Sequence, residues 1–364
     1  MFPPVLTRRA CLARSLSLCA APAIAGAARA QERAARRTVV INLSLEPDSL
    51  DPTMAPSAAV GEVVHYNVLE GLTRIEEDGT VAPMLAESWS VDATALHYSF
   101  RLHQGVRFHD GRPLDAAAVR FSFERAVAPG STNKARKALF DNIAAIATSD
   151  AHTVALTLHH PDPHLLFRLG EGTAVILHPA TAAQAVDRPV GTGPYRVTHW
   201  ERGHSLTLAK TDSYRHASRV RIEQAIYRFV HDPLEQDAAM HADEIDLLFN
   251  IATQTVRRFQ AHNRYQVLTG ASTGKGMLAL NQRRAPLNDV RVRRAITHAI
   301  NREAFIRTVL GGRGVVIGSH FSPADPGYLH LASLYPYDPE RARALLEAAG
   351  IRTPLRLTLA LPPA

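Results

Sequence analysis

One serine of this chain lies in a pattern that is typical of a catalytic nucleophile. Gly270, Ser272 and Gly274 fit the G-x-S-x-G elbow, in which a serine on a strained turn attacks a carbonyl carbon. That elbow requires a strand before the serine and a helix after it. The flanking residues 264–268 and 276–281 both have the pattern of a strand. A serine hydrolase is therefore an alternative that the sequence disfavours, and we predict no catalytic site.

Histidines are numerous, and three of them lie close together as candidate metal ligands. His159, His160 and His164 occur in the segment HHPDPH. Metal ligands need rigid presentation from one face or from a closed loop. Pro161 and Pro163 splay the segment instead, so we interpret these histidines as surface residues. We predict no metal site and no cofactor.

The first thirty residues have the features of an export signal. An arginine pair at 8–9 precedes a weakly apolar stretch, and an A-x-A cleavage site follows at 28–30. We expect cleavage after Ala30 and a periplasmic protein, exported through the Tat route or, as the alternative, the Sec route. Both cysteines, Cys11 and Cys19, lie in this segment, so the mature chain has no disulfide.

The net charge of +7 does not indicate nucleic-acid binding. Four arginines of the first thirty residues contribute to it without any acidic residue, which leaves +3 for the mature chain. No run of lysine and arginine interleaved with aromatic residues occurs, so we expect no nucleic-acid partner. At 364 residues, 46% of them hydrophobic, the chain is long enough for two or three domains.

Strands and helices alternate along the rest of the chain, and any site must be positioned by them. Apolar alternation and β-branched runs predict strands, whereas apolar spacing with an Asp cap predicts helices. The predicted strands are 38–45, 96–103, 152–158, 204–209, 222–230 and 355–361. The predicted helices are 58–72, one beginning at Asp115, one from Asp289 to Gly311 and one from Asp338 to Gly350.

Four segments in a fixed order resemble one protein family. They are LEPDSLDP (45–52), the stretch 85–126, PVGTGPYRVTHW (189–200) and the stretch 278–304. Behind an export signal, this series resembles the family 5 extracellular solute-binding proteins of peptide and nickel ABC importers. The resemblance covers roughly residues 39–361 and implies a protein that binds solute and does no chemistry.

The resemblance also implies an architecture. It is an α/β, type II periplasmic binding protein-like fold with two lobes and an inserted subdomain. The implied first lobe comprises 31–62 and 189–277, with the inserted subdomain at 63–188. Residues 278–364 then form a partial second lobe. Because the last predicted strand has no helix after it, we expect this lobe to be incomplete and ligand binding to be weak.

Ligand is held between the lobes in this family, and several positions here match ligand-facing segments of relatives. The implied ligand-binding residues are Met54, Ala55, Ser57, Phe249, Asn250, Ser272, Gly274 and Met277. The alternative is that these residues only stabilise the lobes. Nickel-binding relatives have an arginine in the region that matches Gly170–Thr173, and none occurs here, which disfavours nickel.

The resemblance finally implies partners. We expect oligopeptides or dipeptides as the ligand, with nickel or a metal chelate as the alternative. Delivery requires the permease subunits of an ABC transporter at the membrane, and we expect the protein to be a monomer.

Overall fold

The computed structural model describes residues 37–55, 57–249, 253–270, 274–325, 327–352 and 354–360. The predicted export signal lies outside these residues. The chain divides into two compact units, a first unit that ends at Thr255 and a second that begins at Val256. The lobe and subdomain boundaries inferred from the resemblance remain predictions.

A five-stranded mixed sheet organises the first unit. Its strands are β1 (Thr38–Asn42), β8 (Tyr195–Glu201), β9 (Ser205–Lys210), β10 (Gln224–Arg228) and β11 (Leu247–Leu248), in the order β11-β1-β10-β9-β8. β1 runs parallel to β10 and β11, whereas β8, β9 and β10 form an antiparallel meander. The first strand of the chain therefore pairs with strands that lie far along the sequence.

Helices cover both faces of this sheet. Helix α1 (Ala58–Val64) packs Val60 and Val63 against Leu206 and Leu208 of β9. On the other face, Val40 of β1 packs against Ala239 of a second helix, Pro233–His241. β1 thus packs against helices on both faces, which is typical of parallel strands, and it ends at Asn42 instead of the predicted residue 45.

The residues that lie between β1 and β8 in the sequence form a four-stranded antiparallel sheet. Its strands are β4 (Ala86–Val91), β5 (His97–Leu102), β6 (Ile143–Asp150) and β7 (Thr153–Leu158), in the order β4-β5-β7-β6. The alternation predicted for 96–103 is confirmed, because Tyr98, Phe100 and Leu102 are buried between exposed neighbours. A two-stranded hairpin, β2 (Thr73–Ile75) and β3 (Val81–Pro83), precedes this sheet.

Helix α2 (Ala116–Val127) packs on the four-stranded sheet. The Asp115 side chain caps it by accepting a hydrogen bond from the Ala118 amide at 3.0 Å, as predicted. Val119 and Phe123 then enter the same buried cluster as Phe100. The other helices are α3 (Leu165–Arg168), α4 (Pro233–His241), α5 (Thr253–Gln260), α6 (Val290–Ala299), α7 (Arg302–Thr308) and α8 (Pro339–Ala348).

Two predicted helices were too long. The helix predicted for 58–72 ends at Val64, because Tyr66 adopts a positive φ of 60°. The Tyr66 hydroxyl fixes that turn by donating to the Gly170 carbonyl and accepting from the Ile75 amide. The helix predicted from Asp289 to Gly311 is two helices, since the Asn301 side chain caps α7 by accepting from the Ala304 amide.

The chain returns to the five-stranded sheet through a close backbone crossing. A Cβ on Gly191 would lie 1.8 Å from the Val68 carbonyl oxygen, and one on Gly193 would lie 2.5 Å from the Asn67 carbonyl oxygen. The His109 ring accepts from the Gly191 amide through Nδ1 at 3.2 Å, and its Nε2 lies 3.0 Å from the Gly193 carbonyl oxygen. Nε2 therefore carries the proton, and one neutral imidazole holds both glycines.

A buried ion pair secures the same return segment. Glu70 is fully buried and accepts two hydrogen bonds from the Arg215 guanidinium, both at 2.8 Å. The Thr192 hydroxyl donates a third at 2.7 Å. Three partners compensate the desolvation of this carboxylate, so the pair fixes the crossing instead of weakening it.

The second unit contains helices, but its described residues contain no strand. Asp338 caps α8 as predicted, and Arg291 of α6 donates to the Ala348 carbonyl at the other end of α8. The strand predicted at 355–361 is wrong over the described residues 354–360, where Leu359 is 66% exposed and lacks a paired neighbour strand. Isolated alternation does not form a strand without a partner to complete its hydrogen bonds.

Over the described ranges, no helix combines the length and apolar character that a membrane span requires.

Candidate ligand-binding site

The carboxyl ends of three parallel strands meet at one edge of the five-stranded sheet. β1, β10 and β11 all point to that edge, which is where α/β folds commonly bind ligands. Phe249 follows β11 directly and is 52% exposed, and Leu45 follows β1 and is 66% exposed. Two large apolar side chains are thus presented to solvent where a ligand would approach.

Asn42 ends β1 at the same edge and was not predicted from the sequence. Asn42 is 1% exposed, and among the described residues neither its amide nitrogen nor its amide oxygen has a hydrogen-bond partner. An unpaired buried amide is costly unless something else satisfies it. The signal available in the sequence was a single polar residue inside the apolar run TVVINLSL.

Met54 lies in a turn that a buried carboxylate organises. Asp51 is fully buried and accepts from the Thr53 amide at 2.9 Å and from the Arg125 guanidinium at 2.7 Å. The Arg125 guanidinium also lies 2.9 Å from the Met54 sulfur. The Thr132 hydroxyl donates to the Met54 carbonyl at 3.0 Å. The 42% exposed Met54 side chain is therefore presented from a rigid turn.

The two other predicted residues of this segment have local roles. The Ala55 amide donates to the Asp51 carbonyl at 3.0 Å, which extends the turn. The Ser57 side chain caps α1 by accepting from the Val60 amide at 3.4 Å. Met54 and Ser57 are both exposed, and the Ser57 side chain also begins helix α1.

Residues 170–173 lie against the same turn. A Cβ on Gly172 would lie 3.8 Å from Pro52 and 3.7 Å from the His65 ring. His65 Nε2 lies 3.0 Å from the Gly170 carbonyl oxygen, and burial lowers the pKa of His65 against the opposing effect of that bond. His65 is therefore a neutral ring at neutral pH and adds no positive charge beside the turn.

The remaining predicted ligand residues are spread over both units. Asn250 and Ser272 lie outside the described residues. Gly274 and Met277 belong to the second unit, in a segment without helix or strand, and Met277 is 61% exposed. Which of these positions contact a ligand stays a prediction.

Three comparisons identify the family. The model of the family described as bacterial extracellular solute-binding proteins, family 5, middle region, matches residues 80–362. The chain belongs to the family 5 extracellular solute-binding proteins. Membership also accounts for the mixed α/β architecture, since solved structures similar to this one are periplasmic binding proteins.

A curated relative of this solute-binding protein is the glutathione-binding protein GsiB of Salmonella paratyphi A. The two are 29% identical over 332 residues, which cover 87% of this chain and 62% of the relative. The chain thus spans less than two thirds of the length of this relative.

Two solved structures show the range of solutes in similar proteins. The periplasmic binding protein DppA of Helicobacter pylori, in complex with the peptide STSA, is 26% identical with a TM-score of 0.77. NikZ of Campylobacter jejuni, in complex with Ni(L-His), is 25% identical with a TM-score of 0.74. These comparisons cover 86% of this chain and 66% and 63% of the two structures, respectively.

Within the described residues of this solute-binding protein, the surroundings of Ser272 and the grouping of metal-ligating side chains bear on two alternatives, a serine hydrolase and a protein metal site. Residues 264–270 and 274–281 contain neither strand nor helix, so the strand–turn–helix of a nucleophile elbow is missing from both flanks of Ser272. No three His, Cys, Asp or Glu side chains within the described ranges are grouped so as to hold a metal ion.

Proposed function

We propose that this protein is the periplasmic solute-binding component of an ABC importer and that its solutes are small peptides. Family membership over residues 80–362 is the observation that supports the proposal. In this function the protein traps the solute and delivers it to permease subunits in the membrane. Closure is coupled to solute because only the closed state contacts the solute from both sides.

The first unit supplies what one wall of such a site needs. Met54 and Phe249 are exposed apolar side chains, suited to contact a peptide without demanding one sequence. The Asn42 amide, buried behind this edge, has no hydrogen-bond partner within the described residues. Recognition mainly through backbone groups tolerates varied side chains, which suits a peptide importer.

A nickel chelate is the second candidate, supported by the similarity to NikZ with its bound Ni(L-His). Such a solute brings its own metal ligands, so it does not require a cluster of protein ligands. We place it second because a curated relative, GsiB of Salmonella paratyphi A, is a glutathione-binding protein, and glutathione is a tripeptide.

Calorimetric titration of the purified protein tests the proposal with three probes: glutathione, trialanine and Ni(L-His). We expect saturable binding of at least one peptide and none of the nickel chelate. Phe249→Ala should weaken peptide binding about tenfold, the loss expected for a buried aromatic contact. Leu234→Ala is the matched control, since Leu234 is 70% exposed on α4 of the same unit.

Two results would overturn the peptide proposal. Saturable binding of Ni(L-His) without any peptide heat would transfer the function to the nickel chelate. A complete lack of binding to all three probes would remove both candidates.

A further inference from the structure

A groove of about 460 Å³ lies in the first unit. Short helix α3 and the segment after it form one side, and residues 134–139 form the other. Its lining includes Lys134, Ala135, Leu139, Phe167, Glu171 and Thr173. That volume is within the range of small-molecule sites.

One wall of the groove has two polar groups that lack partners. Glu171 is half-buried, and within the described chain its carboxylate makes no hydrogen bond or ion pair. Burial raises the pKa of Glu171, and the charge of Arg168 opposes that shift. The Thr173 hydroxyl beside it is buried and has no hydrogen-bond partner in the part of the chain that the structure describes. A donor from a ligand would compensate both groups.

The two cationic side chains at the groove, Arg168 and Lys134, differ in whether other groups of the protein already bind them. Arg168 is already occupied, because it donates to the Ala138 carbonyl and lies 3.5 Å from the Asp162 carboxylate. Lys134 is exposed at the rim and forms no ion pair within the described ranges. The groove therefore offers one carboxylate and one ammonium that form no ion pair within the described ranges.

The segment that precedes Lys134 is hydrogen-bonded to the Met54 turn and to the other side of the groove. The Thr132 hydroxyl donates to the Met54 carbonyl at 3.0 Å, and the Asn133 side chain donates to the Thr173 carbonyl at 2.9 Å. Lys134 follows these two residues directly. Three consecutive residues thus link the Met54 turn to Lys134 at the groove.

We propose that this groove binds an amino-acid-like zwitterionic group of the solute, with the ammonium on Glu171 and the carboxylate on Lys134. A group of this kind has its ammonium and carboxylate on one carbon. The γ-glutamyl end of glutathione has such a group, whereas the amino terminus of trialanine does not. The proposal rests on the proposed function and makes it more specific.

The test measures dissociation constants for glutathione, N-acetylglutathione and trialanine by calorimetry. In the unaltered protein, acetylation of glutathione should weaken binding about tenfold or more, since a charge-assisted hydrogen bond is lost. Glu171→Gln should weaken glutathione binding by a similar factor and remove the effect of acetylation. Lys134→Gln should also weaken glutathione binding about tenfold.

Control variants distinguish the loss of a specific binding site from a general disturbance of the fold. Glu77→Gln and Lys137→Gln alter exposed residues of the same unit and should leave glutathione binding unchanged. Glu171→Gln should keep its trialanine affinity, which shows that the variant remains folded.

Three results would overturn the groove proposal. The first is that Glu171→Gln and Glu77→Gln bind glutathione with equal affinity. The second is that acetylation of glutathione still weakens its binding to Glu171→Gln. The third is that the unaltered protein does not bind glutathione. If trialanine still binds in any of these cases, the proposed peptide function stands without the groove. Loss of all peptide binding removes both.

Discussion

The two units differ in how far they bury their apolar side chains. In the first unit, Phe100 and Phe123 are at most 1% exposed within clusters that two sheets and their helices enclose. In the second, Phe305 is 53% exposed and Val315 is 61% exposed. Because burial of apolar surface is the main stabilising term, similar residue types contribute differently in the two units. Sheets, which the described part of the second unit lacks, provide the surface for that burial.

The largest expected effect comes from the backbone crossing of the first unit. Gly191→Ala places a Cβ against the Val68 carbonyl oxygen, and neither backbone can move without breaking the bonds of the crossing. We expect a loss of about 4 kcal/mol or more, or failure of the first unit to fold. Urea unfolding followed by tryptophan fluorescence measures this, because Trp89 and Trp200 both lie in the first unit.

Gly61→Ala is the control for that substitution. Gly61 lies within α1, and an added Cβ would meet nothing within 4 Å. Replacing glycine inside a helix should stabilise by about 0.5–1 kcal/mol. If the two variants have equal urea midpoints, the crossing is not the rigid joint described here.

A matched pair of phenylalanine truncations tests the comparison of the units directly. Phe123→Ala removes a fully buried ring and should cost about 3–5 kcal/mol. Phe305→Ala removes an exposed ring and should change stability by less than about 0.5 kcal/mol. Far-ultraviolet circular dichroism in urea measures both variants. A cost of several kcal/mol for Phe305→Ala would mean that the second unit buries this ring in solution.

The smallest effect is a pH dependence that belongs to the first unit. Burial lowers the pKa of both His65 and His109, so folding favours their neutral rings. The contribution of these two neutral rings to the free energy of unfolding is complete above the ordinary histidine pKa of about 6.5. It is lost as the pH falls below that value. Tryptophan fluorescence in urea at pH 7.5 and pH 5.5 should therefore show a lower midpoint at pH 5.5.

His109→Gln sharpens this prediction. The variant should be less stable at pH 7.5, because one bond of the crossing is lost, and its midpoint should depend less on pH. His160→Gln, at an exposed position, should retain the pH dependence of the unaltered protein. Equal pH dependence of all three proteins would exclude His109 as a source of the acid sensitivity.

Local patterns predicted individual elements of both units. The alternation at 96–103 and the caps at Asp115, Asp289 and Asp338 lie where they were expected, because each depends on neighbouring residues alone. Helix ends were less predictable. The end of α1 depends on the bond between Tyr66 and Gly170, residues that are 104 positions apart.

The candidate site was less accessible to sequence reasoning than the fold. Met54 was predicted from the family resemblance, but the contacts that hold it come from Arg125 and Thr132 on a distant part of the chain. Asn42 was missed because a polar residue in an apolar strand has no distinctive spacing. Glu171 and Thr173 were missed because a lack of partners is a three-dimensional property.

The pairing of β1 determines when the five-stranded sheet can form during synthesis. Thr38 of β1 is aligned with Gln224 of β10, about 190 positions later. At a translation rate of about 5–20 residues per second, β1 emerges roughly 10 to 40 seconds before its partner. The four-stranded sheet needs only residues up to Leu158, so it can form before β10, the partner of β1, has been synthesised. For that interval the apolar residues of β1 lack the neighbouring strands that later bury them.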